Sequence, residues 1–167
     1  MIIRLNDITV ELTESFLIKI KEYTQDIGKK ESGGILLGGY IQEQNKYVIT
    51  EASVPNGNDK RGPAFFIRDY KRAQKIIDKC WSESEGTINY LGEWHTHGCK
   101  NPQPSITDKE LLKMIISDES NVWNEIFMLI LGRNNTFYLG MADVNSEGVI
   151  IAEIIVKEDG HAHVLNR

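Results

Sequence analysis

The chain has 167 residues, enough for one domain with a single sizeable core and too few for a second. Hydrophobic residues make up 41% and charged residues 26%, the composition of an ordered globular protein rather than a disordered chain. The formal net charge of -5 offers no general attraction to phosphate backbones or anionic lipid, which argues against nucleic acid and membrane surfaces as partners.

Thr13 can cap a helix whose apolar residues Phe16, Ile20, Tyr23 and Ile27 recur at helical spacing, with Gly28 as its stop, so the first predicted helix covers 14–27. Residues 33–41 and 46–54 read as two strands joined by a polar turn at 43–45, and 56–63 as a loop. A second helix follows Asp69, with Tyr70, Ala73, Ile77, Cys80 and Trp81 on its apolar face and Lys71, Lys75 and Asp78 outward. Residues 88–95 then read as a strand and 106–116 as a third helix. Strands at 125–131, 136–142 and 149–156 follow, with a hairpin turn at 132–135 and a polar, frayed tail at 157–167. The order of elements predicts a mixed α/β or α+β domain, with helices packed on a mainly antiparallel sheet.

Met1 to Leu12 is broken by Arg4, Asn6, Asp7 and Glu11, unlike a secretory leader, and no segment approaches the roughly 18 apolar residues of a membrane span. With Cys80 and Cys99 as the two cysteines, a disulfide framework is not implied, and a reducing cytoplasm is the expected setting.

The segment Glu93–Asp108, EWHTHGCKNPQPSITD, carries the chemical signal. Two histidines one residue apart at a strand end can aim both rings at one point if the backbone turns, which Gly98 permits. Asp108 opens the next helix, and a returning loop would add its carboxylate, giving two nitrogens and one oxygen around a metal with a position left for water. His-x-His, seven residues, Ser, two residues and Asp stand here as His95, His97, Ser105 and Asp108. Upstream lies Glu31-Ser-Gly-Gly-Ile-Leu-Leu-Gly, a glutamate opening a Gly-rich strand.

Together these motifs resemble the JAB/MPN (JAMM) zinc metallopeptidase family, over most of the chain from the first helix to about Val156. The resemblance implies one such domain over 1–156, with Zn²⁺ held by His95, His97 and Asp108. It implies Glu31 as general base on water activated by the metal, and Ser105 as a hydrogen-bond donor to the oxyanion. Glu31 could otherwise be a solvated charge, and Ser105 could simply cap the third helix. Glu93 shares a face with His95, so it is either a supporting group or a replacement for Glu31 as base. Pro usually follows the second His in the family. Here Gly98-Cys99 follows, and the Cys99 thiol is either a free loop thiol or one that reaches the metal.

The short form with Gly-Glu-Trp-His-Thr-His resembles bacterial JAB peptidases found beside ubiquitin-like conjugation genes, including those of antiphage CBASS systems. This implies a protein substrate, a ubiquitin-like modifier or protein conjugate, cleaved at an isopeptide or peptide bond after a C-terminus. Phe65, Phe66 and Arg68 in the segment 57–68 are candidates for its groove, although a buried strand would explain the phenylalanines as well. Alternatives are processing of ubiquitin-like sulfur carriers, a non-catalytic scaffold, or the DNA-repair branch of the fold, which the acidic charge disfavours. His161 and His163 read as solvated, and Trp81, Trp94 and Trp123 as core or groove residues. The oligomeric state has no signal in the sequence.

Overall fold

The computed structural model describes residues 1–146, 150–156 and 162–165. The first twelve residues, for which the sequence reading assigned no element, form a hairpin of β1 (Ile2–Leu5) and β2 (Ile8–Leu12), turning at Asn6, which adopts a φ of 56°. Asn is among the few non-glycine residues that tolerate that region.

Helix α1 (Glu14–Lys21) starts at the expected cap, Thr13, whose side chain accepts from the Phe16 amide. It ends well before Gly28, correcting the expected span. Thr24 donates its hydroxyl to the Lys21 carbonyl, taking a helix acceptor, and Gln25 turns into the interior. Ile27, expected on the apolar face, is exposed as a result.

Strands β3 (Gly33–Ile41) and β4 (Lys46–Ala52) follow as expected, β4 ending two residues early. The expected loop holds a small hairpin, β5 (Lys60–Gly62) with β6 (Phe65–Ile67), outside the main sheet. Helix α2 (Tyr70–Glu83) is capped by Asp69, which accepts from the Lys71 and Arg72 amides. Ala73 is buried and Ile77 and Cys80 half-buried, but Tyr70 and Trp81, expected on that face, are exposed at the helix ends beyond the sheet's cover. The remaining elements are β7 (Asn89–Thr96), α3 (Ile106–Ile116), β8 (Glu125–Leu131), β9 (Phe137–Asp143), β10 (Ile150–Val156) and β11 (Ala162–Leu165). Strand β11 pairs with β10 where a frayed tail was expected. His163 lies in it, while His161 falls outside the described residues.

Among the described residues the main sheet runs β1-β2-β4-β3-β7-β8-β9-β10-β11, antiparallel except for β2 with β4 and β7 with β8. Both faces are covered. On one, Phe16 and Ile20 of α1 pack with Leu36, Ile49, Trp94, Phe127 and Leu129; on the other, Leu112 and Ile116 of α3 meet Ile126, Met128 and Ile130, and Ala73 of α2 meets Ile35 and Leu37. That is why β8 reads EIFMLIL, a continuous apolar run whose alternate residues serve two cores. No helix among the described residues is long and apolar enough to cross a membrane.

One irregularity positions the site. Gly92 in β7 has a φ of 142°, and a Cβ there would collide with the Phe127 carbonyl. Its register skips Leu91, pairing Leu36 with Gly92 and Leu37 with Tyr90. This bulge resets the alternation, so Tyr90 joins Glu93 and His95 on the face toward α2 and α3, while Leu91 and Trp94 both enter the α1 core.

Candidate metal centre

His95 lies in the buried run of β7, which ends at Thr96, with the His97 amide still donating to the Leu131 carbonyl of β8 at 2.9 Å, so both histidines stand on paired backbone. Asp108 comes from the first turn of α3. Its carboxylate is fixed by a capping box: Oδ2 accepts from the Ser105 amide at 2.7 Å and from Ser105 Oγ at 2.7 Å, while the Asp108 amide donates to Ser105 Oγ at 3.2 Å. Ser105 is therefore the helix cap, and its hydroxyl proton is directed at Asp108.

The three groups converge. Nε2 of His95 lies 3.1 Å from Nε2 of His97 and 3.4 Å from Oδ1 of Asp108, and Nε2 of His97 lies 3.8 Å from Oδ2. Ligands at about 2.0–2.2 Å from a tetrahedral metal stand about 3.3–3.5 Å apart, so these separations fit one shared cation. Two facing imidazole nitrogens repel unless a proton or cation lies between them. Burial would raise the Asp108 carboxyl, but its hydrogen bond and charge attraction to His95 and its bonds to Ser105 outweigh this and hold it at about 2. Burial, and then the neighbouring His95, push His97 down, favouring the neutral ring a metal requires. Among the described residues, no other group of His, Cys, Asp and Glu converges in this way.

Glu31 is 7% exposed, just before β3, whose Gly33 pairs with His95. Burial raises its carboxyl to about 7; the charge of His95 partly offsets this and that of Asp108 adds to it. A buried carboxylate whose charged form is disfavoured, beside three converging ligand groups, is a candidate proton shuttle.

Glu93 is equally buried but fully engaged. Arg68 grips it as a fork, Nε to Oε1 at 3.0 Å and Nη2 to Oε1 at 2.7 Å, and Tyr90 donates its hydroxyl to Oε1 at 2.8 Å. These contacts favour the supporting role of the two expected for it, with Oε2 accepting only from Arg68 Nε at 3.1 Å. Arg68, expected in a substrate groove, is committed to this ion pair, which also ties the end of the β5–β6 hairpin to β7. Phe65 is 48% exposed and Phe66 half-buried over Gly33, so neither belongs to a buried strand. Cys99 is an exposed free thiol, not among the converging atoms.

A cleft of about 470 Å³ opens between α2 and α3, lined by Arg68, Ile77, Tyr90, Met114, Val122 and Trp123. Its floor belongs to β7, the strand that carries His95. Of the tryptophans, Trp94 is core, Trp123 borders this cleft and Trp81 is surface.

A family profile of prokaryotic homologs of the JAB domain matches residues 14–142. A Pseudomonas aeruginosa protein named CD-NTase/cGAS isopeptidase is 32% identical, over 74% of this chain and 76% of its own. A Vibrio cholerae protein of the same name is 36% identical over 66% of each chain. A Sinorhizobium fredii protein named as a probable metalloprotease is 32% identical over 61% of this chain and 63% of its own. The solution structure of a Desulfitobacterium hafniense protein shares the fold, with 18% identity and a TM-score of 0.55 over 94% of this chain and 90% of that one.

Proposed function

Because the chain belongs to the prokaryotic JAB family of peptidases, we propose that it is a zinc-dependent isopeptidase that detaches the C-terminus of a CD-NTase, a cGAS-like nucleotidyltransferase, from the amine to which it has been joined. The relatives named as CD-NTase/cGAS isopeptidases support that substrate, and the work belongs to antiphage defence. The site reading is carried by one observation: two imidazoles and a carboxylate converge at 3.1–3.8 Å beside a buried glutamate.

His95, His97 and Asp108 would hold the metal. Two nitrogens and one oxygen suit zinc with a position left open. When bound, the metal supplies Lewis acidity and lowers the pKa of water from 15.7 to about 7. Glu31 accepts the proton of the attacking water and returns it to the departing amine. Ser105 keeps Asp108 oriented through the capping box, and serves a developing oxyanion only if its hydroxyl leaves Oδ2.

The test is to incubate zinc-loaded protein with conjugated CD-NTase from the same genome and follow the products by intact mass. The reading expects a free CD-NTase C-terminus, lost in chelator and restored by zinc. An intact conjugate with fully zinc-loaded protein would refute the substrate assignment.

A further inference from the structure

Glu31 lies two residues before Gly33, the first paired residue of β3, so the sheet's ladder does not fix it. Its backbone is held by other means. The Glu31 amide donates to the Gly62 carbonyl at 2.8 Å, and its carbonyl accepts from Arg61 Nε at 2.6 Å. The same guanidinium donates from Nη2 to Ser32 Oγ at 2.6 Å. One planar fork thus spans two successive residues, a geometry that a lysine ammonium cannot reproduce.

The grip continues to the ligand strand. The Ser32 amide donates to Thr96 Oγ1 at 3.0 Å, and the Thr96 amide returns a bond to the Ser32 carbonyl at 2.9 Å. Thr96 stands between the two histidines and is wholly buried. Its hydroxyl donates to Gln25 Oε1 at 3.2 Å, and Gln25 Nε2 donates to the Lys29 carbonyl at 2.7 Å and the Pro63 carbonyl at 3.1 Å. Pro63 joins β5 to β6, so the circuit closes on the hairpin that carries Arg61. Buried circuits with every member satisfied are stiff and costly to open.

We infer that Arg61 is a positioning residue, reaching across from the β5–β6 hairpin to fix the Glu31 backbone against the strand bearing His95 and His97. The inference rests on Glu31 being the base. Arg61 touches neither the metal ligands nor the reacting atoms. It acts by holding the carboxylate at the distance proton transfer requires, where an error of about 1 Å costs on the order of 100-fold.

The experiment compares wild type, Arg61→Met, Arg61→Lys, Glu31→Gln and the double variant Arg61→Met with Glu31→Gln. It uses single-turnover cleavage of a conjugated CD-NTase, zinc content, and amide exchange of the metal-free proteins. Arg61→Met is expected to keep its zinc and KM while kcat falls about 10- to 100-fold, with Arg61→Lys in between. Exchange at Glu31 and Ser32 should accelerate at least about tenfold, since the carbonyl and hydroxyl that anchor the segment lose their donor. In the Glu31→Gln background, Arg61→Met should cost almost nothing more, because no base remains to be positioned. A purely structural arginine would give the same loss in both backgrounds, and that result overturns the inference, as does wild-type kcat in Arg61→Met. Should Arg61→Met not fold, Arg61→Lys carries the same comparison with a smaller expected loss. Full turnover in Glu31→Gln would instead remove the base assignment itself.

Discussion

Replacing Glu31 by Gln should lower activity and, without metal, raise stability in a pH-dependent way. The carboxyl titrates near 7 in the folded protein against an ordinary 4.5, so the fold binds this proton more tightly than the unfolded chain does. Its stabilising contribution is complete below 4.5 and is lost as pH rises through 7. A shift of about 2.5 units corresponds to at most about 3.4 kcal/mol; water entering the cleft reduces this to on the order of 1–2 kcal/mol. Glutamine has no such proton, so metal-free Glu31→Gln should match wild type near pH 5. By pH 8 it should exceed it by about 1–2 kcal/mol, or about 2–8 °C in Tm for a domain of this size. Chemical denaturation of both proteins in chelator at pH 5, 6, 7 and 8 measures the difference. A difference that is constant with pH, or a variant less stable at pH 8, would refute the account of Glu31 as a carboxylate held in a destabilised charged form. With metal present, the nearby positive charge favours the ionised form, so activity should fall on acidification with a midpoint below 7.

Other outcomes follow from the same geometry. Ser105→Ala removes the α3 cap and the hydroxyl bond to the Asp108 carboxylate while keeping the one from the Ser105 amide, so it should cost about 1 kcal/mol of stability and about 10- to 100-fold in zinc affinity by competition titration, with Ser105→Thr restoring most of both. Glu93→Gln should keep turnover within about tenfold while lowering Tm, because it breaks a buried ion pair rather than a proton path; a dead Glu93→Gln beside an active Glu31→Gln would reverse the two roles. Cys99 should be alkylated at equal rates with and without zinc, and Cys99→Ser should leave turnover unchanged; protection by zinc would bring the thiol into the metal sphere.

The parts of the molecule that follow from local periodicity were legible in the sequence. The β8 run and the α3 stripe of Leu112 and Ile116 have the spacing their burial requires, and the His-x-His to Asp spacing anticipates the loop that returns Asp108 to the histidines. Other parts depend on contacts that leave no periodic trace. The Gly92 bulge places Tyr90 on Glu93, three residues away, where an unbroken strand would separate them on opposite faces. The β1–β2 hairpin was hidden because Asn6-Asp7 is a short turn in a segment read chiefly for its charges. Arg61, Thr96 and Gln25 bond to backbone atoms of Glu31, Ser32 and Pro63, residues far along the chain from each, and no spacing rule reports such bonds. The tryptophans show the same limit: three similar apolar residues ended in core, cleft border and surface, Trp94 within β7, Trp123 in the segment before β8 and Trp81 near the end of α2.

X-ray absorption of the zinc-loaded protein tests the central claim most directly. The account predicts four nitrogen or oxygen neighbours at about 2.0–2.2 Å, no sulfur, and loss of the bound zinc when His95 and His97 are both replaced by Ala. A sulfur neighbour at about 2.3 Å, or zinc retained by the double variant, would contradict it.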